Sequence, residues 1–129
     1  VALPDHEITF NPEQQASVDE LLRLFKTNPY QPPTIKECYQ KVGEEIYNAL
    51  VELGQLKPVS PEVVFSTHAY RHMVEDVKAW LREKKTISVA QARDHFDSSR
   101  RYMIAFLDHL DTEGVTVRVG DLRYLKVAA

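Results

Sequence analysis

A single cysteine, Cys38, stands among 129 residues. One thiol excludes an internal disulfide framework and suits a reducing cytoplasm. With no His or Asp partner set beside it, Cys38 is expected to pack as a small apolar residue. Glycine is also scarce, at four residues. Nothing reads as a glycine-rich phosphate loop or a nucleophile elbow, and no carboxylate pair has a catalytic context. No apolar run approaches the roughly 18 residues of a membrane span. The first residues, Val1-Ala2-Leu3-Pro4-Asp5, hold neither an initiating methionine nor a signal-peptide pattern. That is expected of a piece of a longer protein. The chain is therefore expected to be a soluble binding module, not an enzyme, with no cofactor of its own.

Charge of one sign is also lacking overall. The net charge is −3, which gives no general support for nucleic-acid binding. The distribution is more informative. Residues 1–66 carry five Lys and Arg against ten Asp and Glu, whereas residues 67–129 carry eleven against nine. Apart from Arg23, every arginine lies in the second half. Arginine favours bidentate contacts with phosphates and bases, so the second half is the better candidate for an RNA or DNA surface.

What is present reads as one unit written twice. His6–Phe10 alternates as a short strand. Asn11-Pro12 then opens a helix with Asn as cap and Pro at the first position, and Leu21, Leu22, Leu24 and Phe25 form its apolar stripe. Thr34 caps a second helix from Ile35 to Gln40, with Glu37 as capping-box partner. After a turn at Lys41-Val42-Gly43, a third helix buries Ile46, Ala49, Leu50 and Leu53, and Gly54 stops it. Gln55–Ser66 follows as two short strands.

The order then recurs. A long helix over Thr67–Lys84 turns Val74, Val77, Trp80 and Leu81 inward. Thr86–Ser88 is a short strand, and Ser88 caps a helix over Val89–His95. Asp97-Ser98-Ser99 begins a helix with the stripe Tyr102, Met103, Phe106, Leu107 and Leu110, which Gly114 stops. Two alternating runs around Gly120-Asp121 close the unit as a hairpin. Three helices followed by a hairpin describe a winged helix, a variant of helix-turn-helix. The fold class is accordingly mainly α with small β-hairpins (α+β). Two tandem winged-helix domains are expected, 1–66 and 67–129. Modules of about 60 residues are marginal alone. They are expected to share an interface across a short, stiff connection at residues 64–70.

The strongest constellation lies in the second unit. Ser98, Ser99, Arg100 and Arg101 stand at the start of its third helix, where free amides and the helix dipole favour phosphate. Arg118, Gly120, Asp121 and Arg123 line the hairpin. Alternation sets Arg118 opposite Val117 and Val119, hence toward solvent. Gly120 lets a backbone approach closely, and Lys85 adds charge nearby. Tyr102 suits the core better than a stack on a base, although both are open. The bland alternative is a solvated basic face with capping serines. At the matching place the first unit has Glu44 and Glu45, which repel phosphate, so it is expected to be a spacer or docking surface. His68 and His72 are four apart on a helix, but no further ligands join them and the HExxH glutamate is missing. His95 and His109 are isolated. A positive charge on His109 would suit a helix C-terminus.

Ile87–Asp94, Ser98–Tyr102, Leu107–Asp111 and Thr116–Leu125 together resemble the C-terminal end of SelB, the bacterial selenocysteine-specific elongation factor. The likeness covers roughly residues 84–126. The Ser-Arg-Arg-Tyr helix start and the Arg-Val-Gly-Asp hairpin are its most specific parts. The resemblance implies an RNA-binding tail of winged helices whose last member recognises the selenocysteine insertion sequence (SECIS), an mRNA hairpin beside an in-frame UGA. It also implies partners reached through the whole factor, namely the ribosome and selenocysteyl-tRNA, with GTP and magnesium held by an N-terminal GTPase part. On this resemblance Ser99, Arg100, Arg101, Arg118, Gly120, Asp121 and Arg123 become RNA-contacting residues of a cytoplasmic monomer. Two other readings stay open, a DNA-binding transcription regulator and a protein–protein scaffold.

Overall fold

A computed structural model describes residues 10–126. It holds α1 (Pro12–Thr27), α2 (Ile35–Val42), α3 (Glu44–Glu52), β1 (Leu56–Pro58), β2 (Val64–Ser66), α4 (Thr67–Lys84), β3 (Thr86–Ser88), α5 (Val89–Phe96), α6 (Arg100–Thr112), β4 (Thr116–Val119) and β5 (Leu122–Leu125). Residues 6–9 of the expected first strand lie outside the described residues.

Local chemistry sets most helix starts. Asn11 accepts from the Gln14 amide at 2.8 Å while the Gln14 side chain accepts from the Asn11 amide at 2.9 Å. The same reciprocal box forms at Thr34 with Glu37 and at Ser88 with Gln91. Each such cap satisfies amides that the helix leaves open and contributes about 1 kcal/mol. Gly54 and Gly114 follow α3 and α6 with φ of +79°. That left-handed geometry suits a residue without Cβ.

Two hydrophobic clusters form. One joins Val18, Leu21, Phe25, Ile35, Cys38, Tyr47, Leu50, Leu56 and Val64. The other joins Val63 and Phe65 to Met73, Val77, Leu81, Ile87, Phe96, Met103, Phe106, Leu107 and Leu110. Successive strand residues face opposite ways, so β2 lies between the clusters and feeds both. The Phe65 ring meets Tyr102 and Phe106 edge-on, with centroids 6.2 and 6.0 Å away. Tyr30 packs against Phe96 at 5.0 Å. The stiff connection has no loop, because Ser66 ends β2 and also caps α4 by accepting from the Ala69 amide.

Three apolar faces differ from expectation. On α3 the inward pair is Tyr47 and Leu50, whereas Leu53 at the C-cap is exposed. On α4 the buried line is Ala69, Met73, Val77 and Leu81, each four residues from the last. Trp80 flanks this line, and its indole donates to the Thr86 carbonyl at 2.9 Å, clasping α4 to β3. On β4 the outward residues are Val117 and Val119, 42% and 60% exposed. The buried side of that strand is marked by polar Thr116.

The second sheet is antiparallel in the order β3-β5-β4, with Arg123 opposite both Ile87 and Arg118. The first holds only β1 and β2, paired Leu56 to Ser66 through Pro58 to Val64. Cys38 is fully buried, and burial, with the nearby Glu37 charge, pushes its thiol up to about 12.

Candidate nucleic-acid interface

The N-terminus of α6 and the β4–β5 hairpin meet at a cleft of about 280 Å³. Arg100, Ile104 and Asp108 line one side, four residues apart on α6, while Arg118, Asp121 and Arg123 come from the hairpin. Ser88, Val89 and Ala90 complete it from the β3–α5 junction. Ser99 caps α6 by accepting from the Tyr102 amide at 3.3 Å. Among the described residues Arg100 has no carboxylate within ion-pair distance. Its charge stands free beside a helix start that itself favours anions.

Arg118 is more constrained. Its Nε donates to the Gly120 carbonyl at 2.9 Å, and its Nη1 lies 4.0 Å from Asp108 Oδ1. The guanidinium is still half exposed. Gly120 sits at φ +63° with open space where a Cβ would project. The turn therefore requires the left-handed geometry and leaves room for an approaching backbone.

Several residues expected to touch a ligand are engaged elsewhere. Arg123, expected on the exposed hairpin, is only 2% exposed. Its Nη2 donates to Asp108 Oδ1 at 2.5 Å and its Nε to Asp111 Oδ2 at 3.3 Å. The physical reason is register. Alternation puts Arg123 on the sheet face that lies over α6, where a charge must be paired to be buried. The same face carries Arg118, so Arg118 looks along α6 toward Asp108 and the valines, not Arg118, occupy the outer face. Ser98 donates from Oγ to the Tyr30 carbonyl, and Tyr102 from its hydroxyl to the Pro32 carbonyl. Both side chains thus tie α6 to the segment after α1 instead of facing the cleft, and burial raises the Tyr102 hydroxyl above its ordinary range.

Arg101 follows Arg100 by one helical step and points to a different recess, shared with Thr34, Lys36, Glu37 and Glu62. There its Nη2 reaches Glu62 at 3.2 Å. Both partners are largely exposed, so the tie is weak, at most about 1 kcal/mol. Lys85 ends α4 at φ +76°, exposed and outside the cleft. The single basic corner of the sequence reading is therefore narrower, centred on Arg100 and Arg118.

Ile104, Asp108 and Asp111 were not singled out by sequence reasoning. The i, i+4, i+8 spacing of Arg100, Ile104 and Asp108 was a usable signal, because it places all three on one helix face.

Three of the histidines make contacts within the fold. His72 and His95 approach the same Asp76 carboxylate at 3.6 and 3.7 Å. His109 pairs with the Tyr70 hydroxyl at 3.0 Å, and burial lowers its pKa, which opposes the helix-end charge first expected there. Among the described residues no group of His, Cys, Asp or Glu is arranged to hold a metal ion. A larger cleft, about 720 Å³, opens between the end of α1 and the start of α4. It includes none of the candidate RNA-contacting residues, although His68 and His72 line it, and size alone assigns it no role.

Residues 79–125 match the family model described as elongation factor SelB, winged helix. The chain is 24% identical over 130 residues to the selenocysteine-specific elongation factor of Desulfomicrobium baculatum, covering 96% of this chain and 20% of that protein. It is 24% identical over 132 residues to that of Haemophilus influenzae, covering 98% and 21%. It thus spans about a fifth of the relatives it matches. The solved mRNA-binding domain of elongation factor SelB from E. coli, in complex with SECIS RNA, shares the fold. Its TM-score is 0.69 at 19% identity, over 92% of this chain and all of that one. A bacterial selenocysteine-specific elongation factor, EF-Sec, gives a TM-score of 0.67 at 19% identity, over 93% of this chain and 20% of that one.

Proposed function

From a SelB-type winged helix at residues 79–125, we propose that this chain binds the SECIS mRNA hairpin and so recruits an elongation factor that inserts selenocysteine at UGA. The observation that carries the reading is the pair Arg100 and Arg118 on one cleft, between the N-terminus of α6, the recognition helix of this unit, and the β4–β5 hairpin, its wing. It lies within the stretch that matches the SelB model.

The physics favours a hairpin tip over a duplex. The major groove of A-form RNA is deep and narrow and does not admit a helix. The helix start and the wing instead straddle the backbone at the apical loop. Arg100 and Arg118 neutralise phosphates there. An extruded base fits the cleft against Ile104 and Val89, and the Asp121 carboxylate can accept from its amino or imino group. Residues 67–129 carry this contact, while residues 1–66, acidic and braced against them, serve as spacer or docking surface. On the same reading the chain works as a cytoplasmic monomer. The ribosome, selenocysteyl-tRNA, GTP and magnesium belong to the remainder of the factor.

A gel-shift titration with the hairpin, a loop-substituted hairpin and duplex DNA as competitors tests this. The expected result is salt-sensitive binding that prefers the intact loop. A preference for duplex DNA would point to a transcription regulator. Absence of any salt-sensitive nucleic-acid binding would leave a protein scaffold.

A further inference from the structure

The cleft contains a carboxylate that electrostatics alone would reject. Asp108 stands four residues after Ile104 on the lining face of α6, 52% exposed. A negative charge beside phosphate-binding arginines lowers the local positive potential and so costs affinity. Its contacts show a different use. Asp108 holds the buried Arg123 and lies 4.0 Å from Arg118. One turn on, Asp111 accepts from Arg123 Nε and, through its other oxygen, from the Thr116 hydroxyl. Both wing strands are thus fastened to two carboxylates on the recognition helix.

We propose that Asp108 and Arg123 are positioning residues for RNA recognition: the buried guanidinium clamps the wing to α6, and Asp108 aims Arg118 into the cleft. Neither needs to touch RNA. This inference rests on the cleft being the RNA site. Arg118 is held at one end by the Gly120 carbonyl and faces Asp108 at the other. Its conformational freedom is reduced before RNA arrives, and pre-ordering a long side chain saves entropy on binding. Arg123 can serve two carboxylates at once because its donors are set in a planar fork. A lysine carries the same charge without the fork.

Fluorescence-anisotropy titrations of the full chain, against the hairpin and a loop-substituted hairpin, separate positioning from contact. Asp108→Asn removes a negative charge from the RNA face. Simple electrostatics predicts tighter binding. The positioning role predicts about tenfold weaker binding to the intact hairpin, comparable to one charge-assisted hydrogen bond, with the substituted hairpin bound no more weakly than before. Arg123→Lys is expected to lose as much as Arg123→Gln, whereas a phosphate contact would be restored by lysine. Tighter hairpin binding by Asp108→Asn, or wild-type affinity in Arg123→Lys, overturns the role.

Should a variant lose its circular-dichroism signature of folding, side-chain NMR of the unaltered chain decides instead. On adding hairpin the Arg118 Nε–H signal moves and that of Arg123 stays; movement of Arg123 to a new partner overturns the role. An unaltered chain that ignores the hairpin overturns the RNA reading and this role together. Hairpin binding that Asp108→Asn strengthens overturns this role alone.

Discussion

Removing the guanidinium and removing its carboxylates should cost very different amounts of stability. Arg123 is 2% exposed, Asp111 22% and Asp108 52%. In Arg123→Met the aliphatic volume stays and the freed carboxylates are partly open to water, while Thr116 still donates to Asp111. The loss is confined to charge-assisted hydrogen bonds, about 1.5–3 kcal/mol at most, and rehydration offsets part of it. In the double variant Asp108→Asn/Asp111→Asn the guanidinium has no route to solvent without moving the wing. Each Asn can still accept through its amide oxygen but carries no charge, and a buried charge without its counter-charges costs up to about 3–5 kcal/mol. Asp108→Asn alone leaves Asp111 in place and should be the mildest of the three. Against a total stability of about 5–15 kcal/mol these differences are easily resolved. Urea unfolding at neutral pH, with all variants in one buffer, gives the order. If Arg123→Met proves as damaging as the double variant, or the double variant is harmless, Arg123 is not buried in the way its geometry states.

Other expectations follow from the same geometry. Arg100→Ala and Arg118→Ala should each weaken hairpin binding and reduce the slope of log K against log salt by about 0.7–0.9, one phosphate contact apiece; an unchanged slope in both would remove the cleft from the interface. Ser98→Ala and Tyr102→Phe, whose hydroxyls bond to Tyr30 and Pro32, should each cost about 1 kcal/mol of stability and leave hairpin affinity intact; a selective loss of affinity would return them to the RNA face. His109 has its folded pKa lowered by burial, so the unfolded chain binds the proton first as pH falls. Its contribution is full above the ordinary histidine value of about 6.5 and lost as pH drops through that value toward the lower folded one. Denaturation midpoints between pH 7.5 and 5.5 should therefore fall further for the unaltered protein than for His109→Gln.

Short-range chemistry was legible in the residues themselves. The cap boxes at Thr34 and Ser88, the stops at Gly54 and Gly114 and the turn at Gly120-Asp121 each depend on neighbours within a few positions. Reading them was enough to establish two runs of helices ending in hairpins, and the surplus of arginine in the second half marked where a polyanion would bind. Which arginines line the proposed cleft was decided only by the tertiary structure. Arg100 and Arg101 are adjacent in sequence, yet one helical step of about 100° sends them to different recesses. Arg118 and Arg123 look alike on a hairpin. Pairing β5 between β3 and β4 sets Arg123 beneath the sheet, over Asp108 and Asp111, and leaves Arg118 at the rim. Burial follows from long-range register, and register is not written in any five-residue window.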